Sequence, residues 1–305
     1  MRVRLAVNAL CFAGLLTFGS ALWGQDLGPH FRKIKDGIYV QVSAEGNSNC
    51  GIIVTSEGVV LVDSGHNPTD SREVLAAVKK LTNQPIRFLI NTETHGDHTT
   101  GHWVFSPPTV IINAAGAGKG MRDAFSATRM DELRKQSPEM AKAAEGYKLV
   151  TPQVEYDEKM TLELGGKTIQ ILRLNNVHSE ADSAIWLPQD RVLFAASATG
   201  PRRLNNIRPV VNISDILAAV RMMKSLNPEV VIPGHGTPTT TQMFDDIDKY
   251  YALLFERVGA KVREGKSLDQ IKQEVKMPEY ASWANQDRLP NNIEAAHRAV
   301  RGRAN

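Results

Sequence analysis

The sequence predicts an α/β protein in which two packed β-sheets carry helices on their outer faces. Three observations support this class. Short apolar, β-branched runs alternate with amphipathic stretches in the first third of the chain. A second block of hairpins follows near residue 160, and the C-terminal part from about 241 has mostly helical patterning. Histidines and carboxylates fall at the ends of the apolar runs, where sites are built on loops. The 305 residues, 42% hydrophobic and 23% charged, hold enough apolar material for a sizeable core. That balance excludes a disordered tail, a collagen-like chain and a coiled coil.

The elements follow in order. Gly37 to Ser43 reads as a strand. Cys50 to Thr55 and Val59 to Asp63 are strands joined at Glu57-Gly58, a hairpin signal. Thr69 or Asp70 is positioned to cap a helix running to Leu81, with Val74, Ala77, Val78 and Leu81 on one face. Ile86 to Asn91 and Thr109 to Asn113 read as buried strands. Residues 116 to 147 are helical, more polar, and expected to cover a site. Met160 to Leu164 and Lys167 to Leu174 flank Gly165-Gly166 as a hairpin, and Ala184 to Leu187 and Arg191 to Ala196 form another. Ser214 is expected to cap a helix to Leu226, and Glu229 to Ile232 reads as a strand. No internal repeat or low-complexity linker divides the chain.

Residues 1–24 read as a secretory signal peptide. Arg2 and Arg4 precede an apolar run from Leu5 to Phe18, and small residues follow at Gly19, Ser20, Ala21 and Gly24. The run is shorter than the ~20 residues a membrane span needs. Loss of Arg2 and Arg4 lowers the net charge from +3 to +1, and no basic run points to a nucleic-acid partner. Cys11 leaves with the leader, so the mature chain keeps Cys50 alone and forms no internal disulfide. The expected address is the periplasm or the secreted medium, with no stable membrane association after cleavage.

The chemistry-bearing stretch is Glu93-Thr-His-Gly-Asp-His98, directly after a buried strand. Residues two apart in an extended segment point the same way, so Glu93 and His95 can reach one metal. Asp97 and His98, on the following turn, can reach a second. Imidazole with carboxylate suits zinc. His178 and His235 each follow a predicted strand far along the chain, and Gly234 and Gly236 let the chain turn around His235. Any one of these histidines alone is more often a surface residue. The ordered combination is what points to metal.

Taken together these residues resemble the metallo-β-lactamase superfamily of binuclear zinc hydrolases. Val60-Leu-Val-Asp-Ser-Gly65, Glu93-Thr-His-Gly-Asp-His98, His178, Val192-Leu-Phe-Ala-Ala-Ser197 and Pro233-Gly-His235 match its successive motifs. The resemblance implies an αββα sandwich of two mixed β-sheets flanked by helices, over residues 25–305. It implies two zinc ions per chain, one held by Glu93, His95 and His178, the other by Asp97, His98 and His235. Asp63 is expected to support the metal ligands. Two positions depart from the pattern: Glu93 stands at the usual first histidine, and Ser197 at the usual bridging aspartate. The two changes are read as linked, since together they conserve the number of anionic ligands. One β-lactamase subclass has serine at the second position, and some of its members have glutamate at the first.

The expected function is that of an exported, monomeric zinc hydrolase, with a metal-bound hydroxide attacking a carbonyl of a small-molecule substrate. β-Lactam amide hydrolysis, and with it antibiotic resistance, is the leading reading. Ester, thioester or lactone hydrolysis is the alternative, and a non-catalytic periplasmic metal-binding protein the second. Asp97 is expected to orient the nucleophile and relay its proton. Arg202 and Arg203 are candidate contacts for a substrate carboxylate.

Overall fold

A computed structural model of the chain describes residues 26–42, 47–124, 127–175, 177–197, 200–208 and 211–302. The predicted signal peptide lies outside the described residues. Strands β1 (Phe31–Lys35), β2 (Ile38–Gln41), β3 (Cys50–Thr55), β4 (Gly58–Val62), β5 (Ile86–Ile90), β6 (Val110–Ala114) and β7 (Val154–Tyr156) form a seven-stranded sheet in sequence order. Its first four strands pair antiparallel, and β4 to β7 run parallel. Strands β8 (Lys159–Leu164), β9 (Lys167–Leu174), β10 (Asp182–Leu187), β11 (Val192–Phe194) and β12 (Val230–Ile232) form the second sheet, antiparallel except for the β11–β12 pair.

Alternation along the strands builds the layers. In β4, Val60 and Val62 face the second sheet, where they meet the cluster containing Ile169, Ile171, Ile185 and Phe194. Val59 and Leu61 point the other way, onto Val74, Ala77 and Val78 of helix α1 (Pro68–Leu81). Both faces of the strand are therefore buried, which is why β4 reads as an unbroken apolar run. Helices α2 (Gly96–Thr99), α3 (His102–Phe105), α4 (Ala117–Ala124), α5 (Ala127–Gln136) and α6 (Pro138–Ala143) follow in the first half. Helices α7 (Ile213–Ser225), α8 (Gln242–Arg263), α9 (Leu268–Glu274) and α10 (Leu289–Gly302) follow in the second. Ile216, Val220 and Met223 of α7, Phe244, Tyr250, Tyr251 and Leu254 of α8, and Ile293 of α10 cover the outer face of the second sheet through Trp186, Leu193 and Val231. The architecture is the expected αββα sandwich. Among the described residues, no helix is long and apolar enough to cross a membrane.

Several boundaries differ from the sequence reading. The cap of α1 is Asn67, whose side-chain oxygen accepts from the backbone N–H groups of Thr69 and Asp70. Pro68 at the first helical position makes this the natural start. Helix α7 begins at Ile213 after Asn212, which places Ser214 inside the first turn. Strands β1 and β7 carry no strong sequence signal and flank the first sheet. Cys50 is fully buried at the start of β3, its Sγ 3.2 Å from the Asp63 carbonyl oxygen.

Candidate metal centre

Loops at one end of the sandwich converge on a buried cluster. Asp63 follows β4, residues 93–98 follow β5, His178 precedes β10, Ser197 follows β11 and His235 follows β12. His98 is fixed first. Its backbone carbonyl accepts from Ser64 N–H at 3.0 Å, Ser64 Oγ at 2.7 Å and Asn91 Nδ2 at 3.3 Å. Its Nδ1 donates to Asp63 Oδ2 at 2.9 Å. Asp63 is buried with a left-handed φ of 62°, and also accepts from Thr92 N–H at 2.8 Å and Thr92 Oγ1 at 2.7 Å. The ring of His98 is thereby oriented with Nε2 toward the centre.

Around that nitrogen lie Glu93 Oε1 at 3.1 Å, His235 Nε2 at 3.3 Å and Asp97 Oδ2 at 3.7 Å. Asp97 Oδ2 is 3.5 Å from His235 Nε2. Ser197 Oγ stands 3.0 Å from His98 Nε2. On the other side, Glu93 Oε2 contacts His95 Nδ1 and lies 3.8 Å from His178 Nε2. The His95 and His178 rings meet edge to face, 4.9 Å between centroids, as do His98 and His235 at 5.2 Å. Five of the six sequence-predicted metal ligands thus form two groups that meet at Glu93, one with His95 and His178 and one with His98 and His235; Asp97, expected beside His98 and His235, stands at their edge.

The donor set fits a cation. With Nδ1 of His98 donating to Asp63, Nε2 of the neutral ring offers a lone pair and faces two carboxylates and another imidazole nitrogen. Acceptors aimed at one another are satisfied only by a shared cation or proton. Glu93 Oε1 and His178 Nδ1 are buried without a hydrogen-bond partner among the described residues, a costly arrangement unless something else fills it. Electrostatics agrees. Burial opposes ionisation of Glu93, but the rings of His98, His178 and His95 outweigh it and hold the carboxyl well below the usual range. Burial likewise opposes ionisation of Asp97, and His98, helped by His235 and His66, overcomes both burial and Glu93. Burial works against a charged His98, yet Glu93, Asp63 and Asp97 push it up to about 10. His178 and His235 are pushed down to about 4, chiefly by burial.

Two positioning devices have no motif in the sequence. Asn49 donates its Nδ2 to the carbonyls of Pro233 at 2.8 Å and Gly236 at 2.7 Å, clamping the turn that carries His235. Asp182 accepts from His178 N–H at 2.7 Å, Ser179 N–H at 2.9 Å and Ser179 Oγ at 2.6 Å, setting the His178 loop. Burial, then Glu93, raises Asp182 to about 7. The aspartate four residues after His178, at a strand start, was its only sequence signal. Gly234 is required by close approach, since a Cβ there would lie 2.4 Å from Ser197 Oγ.

A cavity of about 400 Å³ opens over the cluster, lined by His95, Asp97, His178, Ser197 and His235 on its floor, with Arg203, Arg208 and Arg288 among its walls. With the Asn285 amide turned so that both its ends are satisfied, its oxygen accepts from Arg203 Nε at 3.2 Å and Nη2 at 3.1 Å and from Arg288 Nη1 at 3.1 Å. Asn285 so fixes two cations side by side. Of the predicted arginine pair, Arg203 lines the cavity, whereas Arg202 donates to Ser282 Oγ at 3.1 Å on the exposed surface. Among the described residues the walls come from residues 203–208 and Arg288 and not from α4–α6, contrary to the covering role expected of residues 116–147. His66 lies 4.0 Å from Asp97 Oδ2 and accepts from Ser48 N–H at 3.2 Å. His102 is buried, Nδ1 donating to the Val150 carbonyl at 2.8 Å.

A two-sheet sandwich with histidines and carboxylates converging at one end defines a class of metal-dependent hydrolases. The profile of the Metallo-beta-lactamase superfamily matches residues 44–235, and the chain belongs to that superfamily. The linear primary-alkylsulfatase of Pseudomonas sp. (strain ATCC 19151) is 24% identical over 268 residues, covering 74% of this chain and 49% of that protein. A stereoselective inverting sec-alkylsulfatase from Pseudomonas sp. superposes with a TM-score of 0.69 at 18% identity, over 88% of this chain and 50% of that one. A metallo-beta-lactamase from Pontibacter korlensis superposes with a TM-score of 0.56 at 19% identity, over 70% of this chain and 94% of that one. This chain spans about half the length of the two alkylsulfatases.

Proposed function

We propose that the protein is an exported, zinc-dependent hydrolase of small anionic substrates, with the β-lactam type of cyclic amide as the leading substrate. The observation that carries the reading is the cavity that joins an arginine-lined wall to His95, Asp97, His178 and His235 at the edge of the candidate metal cluster. Two zinc ions are the expected complement, Glu93, His95 and His178 holding one, and Asp97, His98 and His235 the other. Zinc, when bound, lowers the pKa of coordinated water to about 7 and polarises a carbonyl. The chain does the rest. Arg203, Arg208 and Arg288 orient the substrate's anionic group, fixing the reacting carbonyl over the cluster. Asp97, whose Oδ2 reaches the cavity floor, orients the nucleophile and accepts its proton. Ser197 supplies a neutral hydroxyl beside His98. Export is supported by Arg2, Arg4 and the apolar run from Leu5 to Phe18.

A second reading, cleavage of a sulfate ester, is favoured by the same arginines, whose planar forks suit a tetrahedral oxyanion as well as a carboxylate, and by the two alkylsulfatase relatives. The test is the purified zinc-loaded protein against β-lactams, carboxylic esters, thioesters, lactones and alkyl sulfates. Turnover of a β-lactam, abolished by chelation and restored by zinc, supports the leading reading. Turnover of alkyl sulfates alone replaces it with the second. Metal binding with no turnover across the panel leaves a metal-binding protein.

A further inference from the structure

Glu93 is fully buried, and its two carboxylate oxygens face different partners. Oε2 points to His95 and lies 3.8 Å from His178 Nε2, whereas Oε1 lies 3.1 Å from His98 Nε2. Ligand atoms of Glu93, His95 and His178 lie within 4.8 Å of one another, and so do those of Glu93, His98 and His235. No other described residue belongs to both groups. The backbone is steadied by Asn113 Nδ2, which donates to the Glu93 carbonyl at 3.4 Å. Asp97, the other carboxylate near the centre, approaches His98 and His235, and Ser197 approaches His98 with a single oxygen.

These contacts go beyond a terminal ligand of one ion. We propose that Glu93 is a bridging carboxylate, giving Oε2 to the metal position of His95 and His178 and Oε1 to that of His98 and His235. The inference rests on the metal-dependent reading above and specifies how the two positions are joined. Ions about 3.5–4 Å apart, the usual spacing of two-metal sites, are within the span of one carboxylate. Three physical arguments favour the bridge. One buried anion shared by two cations leaves neither oxygen orphaned, which removes the unsatisfied Oε1. Ser197 leaves the cavity side of the centre without a second shared anion. Ordering Glu93 for the first ion also positions it for the second, so the two binding steps are coupled.

The experiment titrates cobalt(II) into the chelated full chain and into its Glu93→Gln and Glu93→Asp variants. It follows stoichiometry, visible absorption and electron paramagnetic resonance. Glutamine keeps the shape with a neutral amide, and aspartate keeps the charge on a stem one methylene shorter, which draws both oxygens back from the two positions. The wild type is expected to take up two cobalt ions with little half-loaded species, and to give the reduced resonance of exchange-coupled ions. Both variants are expected to bind at least tenfold more weakly and to show uncoupled ions. If Glu93→Gln does not fold, as judged by circular dichroism of the chelated form, Glu93→Asp decides. A variant that keeps the coupled spectrum overturns the bridge. So does a variant that loses one ion while the other binds with wild-type affinity, since that is the behaviour of a terminal ligand. A wild type that binds no cobalt overturns the bridge and the metal-dependent reading together.

Discussion

Asp63 and His98 share a 2.9 Å hydrogen bond between Oδ2 and Nδ1, and that bond decides which ring nitrogen faces the cluster. An imidazole without such a partner exchanges tautomers and can turn its other edge to the centre.

Asp63→Asn is therefore expected to weaken binding at the His98 position by roughly 10–100-fold, the usual effect of losing a partner that supports a metal ligand. Isothermal titration with zinc measures it, and the position of His95 and His178 is expected to change less. Unchanged zinc affinity would contradict the orienting role.

Asn49 does for His235 what Asp63 does for His98, but through the backbone. Asn49→Ala removes both hydrogen bonds to the 233–236 turn. At about 1 kcal/mol for each bond, a loss of about 2 kcal/mol in unfolding free energy is expected, with weaker zinc binding beside it. Urea denaturation with and without zinc reads both. A variant as stable as the wild type in both states would show that the turn holds its shape unaided.

The arginine wall makes a prediction that separates binding from chemistry. Arg208→Ala and Arg288→Ala are expected to raise KM for an anionic substrate about tenfold or more, with little change in kcat, because they hold a group remote from the reacting bond. An uncharged analogue is expected to show no such rise. A fall in kcat with KM unchanged would place these arginines at the reaction itself.

The metal-free chain should be most stable near pH 6.5. His178 and His235, lowered to about 4, contribute stability that is present above 6.5 and lost as pH falls through about 4. Asp182, raised to about 7, opposes them, its contribution being complete below 3.8 and lost as pH rises through about 7. With buried His102, likewise lowered to about 4, three groups against one leave a net gain between pH 4 and 6.5. His98, raised to about 10, contributes below 6.5 and loses that contribution as pH rises through about 10. Urea midpoints across pH 4–10, in chelator, check the two limbs. His235→Asn should flatten the acid side, and zinc should remove the alkaline one. Midpoints climbing steadily to pH 9 would contradict the role given to His98.

What was legible in the sequence, and what was not, follows the range of the interactions. The β3–β4 hairpin and the β8–β9 hairpin announce themselves through apolar runs around Glu57-Gly58 and Gly165-Gly166, all local signals. Strand β1, with the sequence FRKIK, and the three-residue β7 exist because a neighbour pairs with them, which no local pattern records. The same division holds at the site. Residues 93–98 lie in one short segment, and their spacing alone suggests a ligand set. Arg203, Arg208 and Arg288 become one wall only when the turn that leads into α10 and the loop after β11 fold together. Asn49 looks like any loop asparagine until the turn 184 residues away reaches its amide.

The buried thiol of Cys50 gives this fold a built-in clock. Its sulfur sits against the carbonyl of Asp63, under the floor on which the ligands stand. Cys50 packs in the layer between β3, β4 and α1, so a thiol reagent reaches it when that layer opens, which also loosens the backbone that carries Asp63. The rate of labelling at this single position therefore times the breathing of the whole centre without any substrate, and zinc should slow that clock in proportion to how tightly it is bound.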